Sequence, residues 1–150
     1  MLQKMSQRTQ RCDVVSYITA TSACEKGLQW EEALRLLQGM SQSLLTPNVV
    51  SYNAATSACE KGLQWEEALR LLRGMSQSSL THDVVNYTAA TIACAEGSWW
   101  EEALRLLRGM FLSLQTPDAV SYNAAAIACE KGLQWEEALR LLRGICLRSL

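Results

Sequence analysis

A period of 35 residues runs through almost all of this 150-residue chain and constrains its fold more than any other feature. The first two copies differ at only six of 35 positions. Four copies occupy residues 14–48, 49–83, 84–118 and 119–150, the last being three residues short. A period of this length indicates small supersecondary units that must stack to bury a core. We interpret residues 1–13 as the tail of a preceding repeat, because Met5 lies 35 residues before Met40.

Each copy carries the pattern of two helices. In the second copy, Tyr52, Ala55 and Cys59 fall on one face of a helix, and a second stripe of the same spacing starts at Trp65. Gly62, between the two stripes, predicts a left-handed helix end. No segment alternates with the period of two that a strand requires. The sequence therefore predicts an all-α protein, an α-α solenoid of stacked helical hairpins.

Composition and charge exclude several classes of protein. Apolar residues make up 49% of the chain and its formal charge is -1, which argues against disorder. No apolar run is long enough to span a membrane. The balance of 14 basic and 15 acidic residues lacks the basic excess typical of nucleic-acid binding. The acidic residues, however, concentrate at the starts of the second helices, where Glu66 is spaced to pair with Arg70.

The cysteines do not form a disulfide or zinc pattern. Four of the six recur every 35 residues, no Cys-x-x-Cys occurs, and the single histidine, His82, offers no ligand set. We interpret the periodic cysteines as small core residues and expect a reducing compartment. The sequence also shows no nucleophile–base set or glycine-rich phosphate loop, so we expect no enzyme, cofactor or metal. The periodic cysteines are Cys24, Cys59, Cys94 and Cys129, and the others are Cys12 and Cys146.

The repeated motifs resemble one family. Val-Val-Ser-Tyr-Asn, Ala-Cys-Glu-Lys-Gly, Glu-Glu-Ala-Leu-Arg-Leu-Leu, a Met and a closing Pro-Asp are similar to pentatricopeptide repeats. The period of 35 exceeds that of tetratricopeptide repeats by one. The resemblance extends from Val14 to Leu150. It implies a right-handed superhelix that binds single-stranded RNA, one base per repeat. It also implies a role in RNA processing, stability or translation in mitochondria or in plastids such as the chloroplast.

The resemblance further implies which residues read the bases. In the family the residue after the repeated Tyr works with the last residue of the same repeat. In the family, the pair of Asn and Asp is associated with uracil, and the pair of Thr and Asp is associated with guanine. The resemblance therefore implies a U-G preference at repeats 2 and 3. Ile18 departs from the pattern, and the partner of Asn123 falls beyond residue 150. The implied pairs are Ile18 with Asn48, Asn53 with Asp83, and Thr88 with Asp118.

The chemistry of the reading positions supports this hypothesis without the family. An Asn amide has donors and an acceptor, and a Thr hydroxyl has one of each, so either matches the edge of an unpaired base. Ile18, Asn53 and Thr88 differ from copy to copy, whereas their neighbours hardly change. Variation confined to one position of the repeat favours a role of that position in base recognition. The alternative is that exposed positions vary freely.

Two further rows have a functional and a structural interpretation. The resemblance implies that a valine sandwiches each base, whereas a Val at a helix start also serves packing. It implies that a lysine binds phosphate, whereas a Lys at a helix end also stabilises the dipole. The third copy has Glu96 in place of that lysine. The rows are Val15, Val50, Val85 and Val120, and Lys26, Lys61 and Lys131.

The sequence is also compatible with other functions. The repeated tryptophans could stack on bases, but their spacing with Ala and Leu favours a core role. The runner-up function is a protein-binding helical scaffold similar to tetratricopeptide arrays, and a third hypothesis is an array without a ligand. Asn, Thr and Asp at fixed registers of the first helices favour bases, whereas a peptide groove needs basic or aromatic clamps. We expect further repeats or protein effectors as partners, but neither a membrane nor a small-molecule substrate.

Overall fold

Each copy of the repeat forms two helices. The computed structural model describes residues 13–81, 83–113 and 115–148, with side chains up to residue 144. These residues form eight α-helices and no strand, which confirms the all-α prediction. The helices are α1 (Val14–Lys26), α2 (Trp30–Gln42), α3 (Val49–Lys61), α4 (Trp65–Gln77), α5 (Val84–Glu96), α6 (Trp100–Leu112), α7 (Ala119–Lys131) and α8 (Trp135–Arg148). Consecutive pairs are called units 1 to 4.

Some predictions fall on residues outside this description. Of the tail assigned to a preceding repeat, 1–13, only Asp13 is described. Cys12, His82 and the side chain of Cys146 also lie outside the described residues.

The helices stack in two layers. The first helices of the units pack on one another in chain order, α1 on α3, α3 on α5 and α5 on α7. Each second helix packs on the first helix of its own unit, and α2, α4 and α6 also pack on the first helix of the next unit. Within the described residues the backbones of the second helices do not approach one another as closely as those of the first helices, although side chains of α6 and α8 line a common cleft. The first helices therefore form a continuous first-helix layer, and the second helices form a second-helix layer on its back, as expected for a helical solenoid.

Small residues make the contacts of the first-helix layer. Ala55, Ala58 and Cys59 are completely buried in α3, and their counterparts in α5 and α7 are buried as well. Thr56 is also buried, and its hydroxyl donates to the carbonyl of Tyr52 at 2.8 Å. Since this hydroxyl has a partner within its own helix, its burial leaves no donor unpaired. The small side chains allow neighbouring helices to approach closely.

The last residue of each repeat starts the next first helix. In every unit its side chain accepts a hydrogen bond from the backbone N–H three residues later, the usual N-cap arrangement. The caps are Asp13, Asn48, Asp83 and Asp118, at distances of 2.8, 3.0, 3.0 and 2.8 Å. The bond from Ser16 also lowers the pKa of Asp13. The implied base-reading residues Asn48, Asp83 and Asp118 therefore also have a structural role.

The glycine that ends each first helix has a different role from the one predicted. The φ angle of Gly62 is -82°, so the prediction of a left-handed Gly62 is wrong. The left-handed residue is the next one, Leu63, with a φ of 58°. Glycine is required here because the ring of Trp30, from the preceding unit, lies against it, and a Cβ on Gly62 would overlap that ring. Glycine is therefore needed at position 62 to make room for a neighbouring unit, and not to adopt a left-handed backbone conformation.

The tryptophans connect the units. Trp65 and Trp100 contact Gly97 and Gly132 of the following units, just as Trp30 contacts Gly62. All three are partly buried against the hydrophobic core. Trp135, for which no contact with a later unit is described, is 66% exposed. The repeated tryptophan is therefore an interface residue between successive units.

Leucines and methionines fill the space between the layers. Leu72 is 5% exposed and Met75 is completely buried in α4. The exposed side of the second helices carries ion pairs, but Arg70 pairs with Glu67 at 3.1 Å, so the prediction of a Glu66–Arg70 pair is wrong. The same i,i+3 choice recurs in the other second helices. Exposed pairs of this kind add little stability.

Candidate nucleic-acid interface

A row of exposed valines follows the first-helix layer. Val15, Val50, Val85 and Val120 are 51–68% exposed. Each lies in the first turn of a first helix, three residues before a position implied to read a base. A purely structural role predicts buried side chains, and the exposure disfavours it. The methyl groups are accessible to a flat ligand, and base sandwiching by these valines stays a prediction.

The reading pair of unit 2 is in direct contact. Nδ2 of Asn53 donates to Oδ2 of Asp83 at 2.9 Å, although the residues are 30 positions apart. Oδ1 of Asp83 is occupied by the N–H of Asn86 in the helix cap. Because Asp83 takes the amide donor, the amide orientation of Asn53 is fixed. Its Oδ1 is buried and has no hydrogen-bond partner within the described chain. Asn53 therefore keeps an acceptor that is unpaired but closed to solvent.

The reading pair of unit 3 is joined through a third residue. Oγ1 of Thr88 lies 2.7 Å from Oγ of Ser121, and Ser121 donates to Oδ1 of Asp118 at 2.8 Å. Since the proton of Ser121 goes to the carboxylate, Thr88 is the donor to Ser121. The remaining lone pairs of Thr88 and Oδ2 of Asp118 are then acceptors. The two implied reading residues share one hydrogen-bond network without touching each other.

This network lies at a cleft. A cavity of about 210 Å³ lies between three consecutive first helices, beside Thr88 and Asp118 and between Val85 and Val120. Glu60 of the preceding unit also lines it, and burial raises the pKa of this carboxyl. Sequence reasoning did not find Glu60, because its place in the cleft depends on the stacking of α3 against α5.

The first and last reading positions are different. Ile18 is half-buried and has no polar group to share with Asn48. Oδ1 of Asn48 is engaged with the N–H of Ser51 in the cap of α3. Asn123 is exposed on α7. The structure thus joins the implied pairs of units 2 and 3 by hydrogen bonds, whereas no such link joins Ile18 and Asn48 within the described residues.

Two of the three implied phosphate lysines are in ion pairs. Nζ of Lys61 lies 2.8 Å from Glu25 of the preceding unit. Nζ of Lys131 lies 3.0 Å from Glu96. The third, Lys26, is exposed at the end of α1. These pairs connect first helices of successive units, so the positive row is partly neutralised.

Three of the four periodic cysteines are core residues, whereas Cys24 is only half-buried. Cys59, Cys94 and Cys129 are completely buried, and burial raises the pKa of Cys59 and Cys94 to about 12. Thiols of this kind are unreactive. The described residues hold no group of three His, Cys, Asp or Glu side chains suited to a metal ion. None of the described helices combines the length and hydropathy needed to cross a bilayer.

Two family models match the chain. One, described as a pentatricopeptide repeat domain, matches residues 1–61, and the other, described as a PPR repeat, matches residues 50–80. Together they extend over residues 1–80, more than half of the chain. A search of curated proteins gives no match.

Solved structures have the same fold. The pentatricopeptide repeat protein PPR10 in complex with an 18-nucleotide psaJ RNA element is 22% identical, with a TM-score of 0.78 over 99% of this chain. The structure of PPR10 from maize is 20% identical, with a TM-score of 0.76 over 97% of this chain and 21% of PPR10. The PPR domain of Arabidopsis thaliana protein-only RNase P 1, in complex with tRNA, is 12% identical, with a TM-score of 0.79 over 95% of this chain and 76% of that domain.

These similarities concern the fold, and in PPR10 they cover only part of a longer protein. The chain spans 22% of the length of PPR10 in its RNA complex. The repeated motifs, the stacked pairs of helices and the two family models agree. The chain belongs to the pentatricopeptide repeat family.

Proposed function

We propose that this chain binds single-stranded RNA along the first-helix layer, with one base per unit. The observation that carries the proposal is the recurrence, one unit apart, of the networks around Asn53 and Thr88, each beside exposed valines. Single-stranded RNA presents unstacked bases at a regular spacing, which a regular array of units can match. Family membership supports the same function.

The geometry of unit 2 supports uracil. The amide of Asn53 is oriented by Asp83, so that its unpaired atom is the oxygen, which is closed to solvent in the free protein and which the base must reach on binding. Uracil has one ring donor on its Watson–Crick edge, N3–H, which this oxygen can accept. An adenine or cytosine places a ring acceptor there and would face the oxygen with a lone pair. The hydrogen bond between Asn53 and Asp83 is therefore the basis of the proposed preference.

The geometry of unit 3 supports guanine. Thr88 donates to Ser121 and offers lone pairs, and Oδ2 of Asp118 is a second acceptor. Guanine carries two neighbouring donors on its Watson–Crick edge, N1–H and the N2 amino group, whereas adenine carries one. Two acceptors facing two donors favour guanine. The proposed preference of units 2 and 3 together is U-G.

We further propose that Lys26, Lys61 and Lys131 contact phosphates. Lys61 and Lys131 must share their charge with Glu25 and Glu96, so each contact is weak. Few effective phosphate contacts predict a shallow dependence of affinity on salt concentration. Base contacts then contribute more to binding than the electrostatic attraction of the backbone.

The proposed setting is an organelle. By family resemblance the chain acts in mitochondria or plastids, in RNA processing, stability or translation. We propose a binding module rather than an enzyme, which acts through further repeats or protein effectors. The buried, high-pKa cysteines offer no nucleophile for catalysis.

Binding to short RNAs tests this function. Single-stranded RNAs with a central U-G step are compared with RNAs that carry A-A at the same place, by fluorescence anisotropy at low and moderate salt. We expect tighter binding of the U-G series at both salt concentrations. Each unit contributes only about 1–3 kcal/mol, so a tandem duplication of the four units is measured in parallel. Equal binding of both series by the duplicated protein would contradict the proposed function.

A further inference from the structure

We infer that the turn between α5 and α6 forms a second binding site, which takes an arginine side chain of a partner protein. The site is a cleft of about 360 Å³ between the starts of α4 and α6. It shares no lining residue with the cleft beside Thr88. RNA binding and arginine binding can therefore fail independently of each other. The cleft is lined by Trp65, Ser98, Trp99, Trp100, Glu101 and Glu102.

Trp99 breaks the repeat at this cleft. The residue before the repeated tryptophan is glutamine in the other units, Gln29, Gln64 and Gln134. The amides of Gln29 and Gln64 donate to the carbonyl of the glycine two residues earlier, at 3.3 and 3.1 Å. Trp99 stands before α6 without a side-chain hydrogen bond to cap the helix, and it is 48% exposed. A large aromatic side chain that replaces a local hydrogen bond and stays exposed indicates a binding surface.

The ring of Trp99 extends an aromatic surface. Its centroid lies 4.4 Å from that of Trp65, with an angle of 34° between the two planes. Both rings lie against Gly97, which has no side chain to fill this space. Trp100 lines the same cleft. Because the face of an indole ring is electrically negative and attracts cations more strongly than that of other aromatic side chains, this lining favours a positively charged ligand.

The carboxylates of the cleft favour the same sign of charge. Glu101 is exposed and forms no ion pair within the described residues, whereas Glu102 pairs with Arg105 at 3.1 Å. The lining of the cleft contains no basic residue. A phosphate group would be repelled here, which disfavours stacking of an RNA base on Trp99. A guanidinium fits both features of the cleft, since its plane stacks on an indole ring and its N–H groups donate to a carboxylate.

The charge of the cleft also indicates the source of the guanidinium. Free arginine carries an α-carboxylate, which would approach Glu101 and Glu102. An arginine within a polypeptide has no such group beside its side chain. The cleft opens at the surface, where Ser98, Trp99 and Glu101 are exposed. An arginine side chain that projects from the surface of a partner protein therefore fits better than the free amino acid.

Binding of N-acetyl-arginine amide tests the site, because the guanidinium is its only charge. N-acetyl-citrulline amide is the control, since it has the same shape with a neutral urea. The indole N–H signals of the ¹⁵N-labelled protein are followed by NMR at low salt. We expect the arginine amide to shift the signals of Trp65, Trp99 and Trp100 to saturation, and the citrulline amide to bind at least about fivefold more weakly. Equal binding of both ligands, or no shift with arginine, would overturn the inference. Tighter binding of free arginine than of its amide would overturn the assignment to a protein side chain.

Two substitutions localise the effect. Trp99→Gln installs the residue of the other units and should weaken arginine binding about tenfold, while the unfolding temperature stays within a few degrees. Glu101→Gln removes the unpaired carboxylate and should weaken it about threefold. Glu136→Gln, at the same register of unit 4, is the matched control and should change nothing. Arginine affinity that survives both substitutions would contradict the site. A Trp99→Gln protein that loses affinity for RNA but not for arginine would show that Trp99 stacks on a base instead.

Discussion

The two layers of this solenoid are built from helices of nearly the same length but of different chemistry. The first helices bury Ala, Thr and Cys and contact one another directly. The second helices bury Leu and Met between the layers and expose Glu–Arg pairs. The side of the first helices that carries the exposed valines does not pack against the second helices. The two layers therefore differ in the size and charge of their side chains, and the proposed recognition of RNA lies on the first-helix layer.

The largest expected effect is on the second-helix layer. Leu72→Ala should destabilise the protein by about 2–5 kcal/mol, because Leu72 is 5% exposed and its truncation leaves a cavity. The matched control is Leu142→Ala, at the same register of the last unit, where the side chain is 52% exposed. Denaturant unfolding measures both. Equal losses for the two variants would contradict the interface between units described above.

The next largest effect on stability is expected at the contact between Trp30 and Gly62. Gly62→Ala places a Cβ in the ring of Trp30 and should destabilise by about 1–3 kcal/mol. Gly27→Ala is the control, because Gly27 has the same register and its nearest neighbour is an ordinary 3.4 Å contact with a carbonyl oxygen. It should be neutral or slightly stabilising, since alanine restricts the unfolded chain. A stabilising Gly62→Ala would show that Trp30 does not lie where the structure places it.

A substitution in the turn between the two helices of unit 2 should give a small gain in stability. Leu63 has a φ of 58° and is 60% exposed, so Leu63→Gly should stabilise by about 0.5–1 kcal/mol by relieving strain. Gln64→Gly is the control, because Gln64 has a φ of -102° and gains nothing from glycine. Thermal unfolding distinguishes the two. If both variants lose stability equally, the left-handed turn is not at Leu63.

Charge on the first-helix layer gives the smallest expected effect. Glu96→Lys removes the partner of Lys131 and extends the lysine row, so RNA affinity should rise about threefold and its salt dependence should become steeper. The control is Glu101→Lys, which makes the same charge change on the second-helix layer. It should raise affinity less. Equal gains would mean that RNA does not distinguish the two layers.

The fold could be predicted from the sequence because its cause is periodic. Apolar spacing within one copy defines both helices, and repetition defines their stacking. The role of Gly62 could not be predicted, because the ring that requires it belongs to Trp30, in another unit. For the same reason the pairing of Lys61 with Glu25 was missed. Contacts between units depend on how helices align, which a pattern within one unit does not contain.

The candidate site could be predicted only in part. The family pattern identifies Asn53 with Asp83, and the structure joins them by a hydrogen bond. It does not identify Ser121, through which Thr88 reaches Asp118, because serine at a helix start has an ordinary capping role.

A reciprocal exchange of reading residues tests the central claim most directly. Asn53→Thr and Thr88→Asn are combined in one protein, and binding is measured to RNAs carrying U-G, G-U and A-A at the two central nucleotides. We expect the preference to change from U-G toward G-U while the unfolding temperature stays within a few degrees. An unchanged preference for U-G, or equal binding of all three RNAs by both proteins, would contradict it.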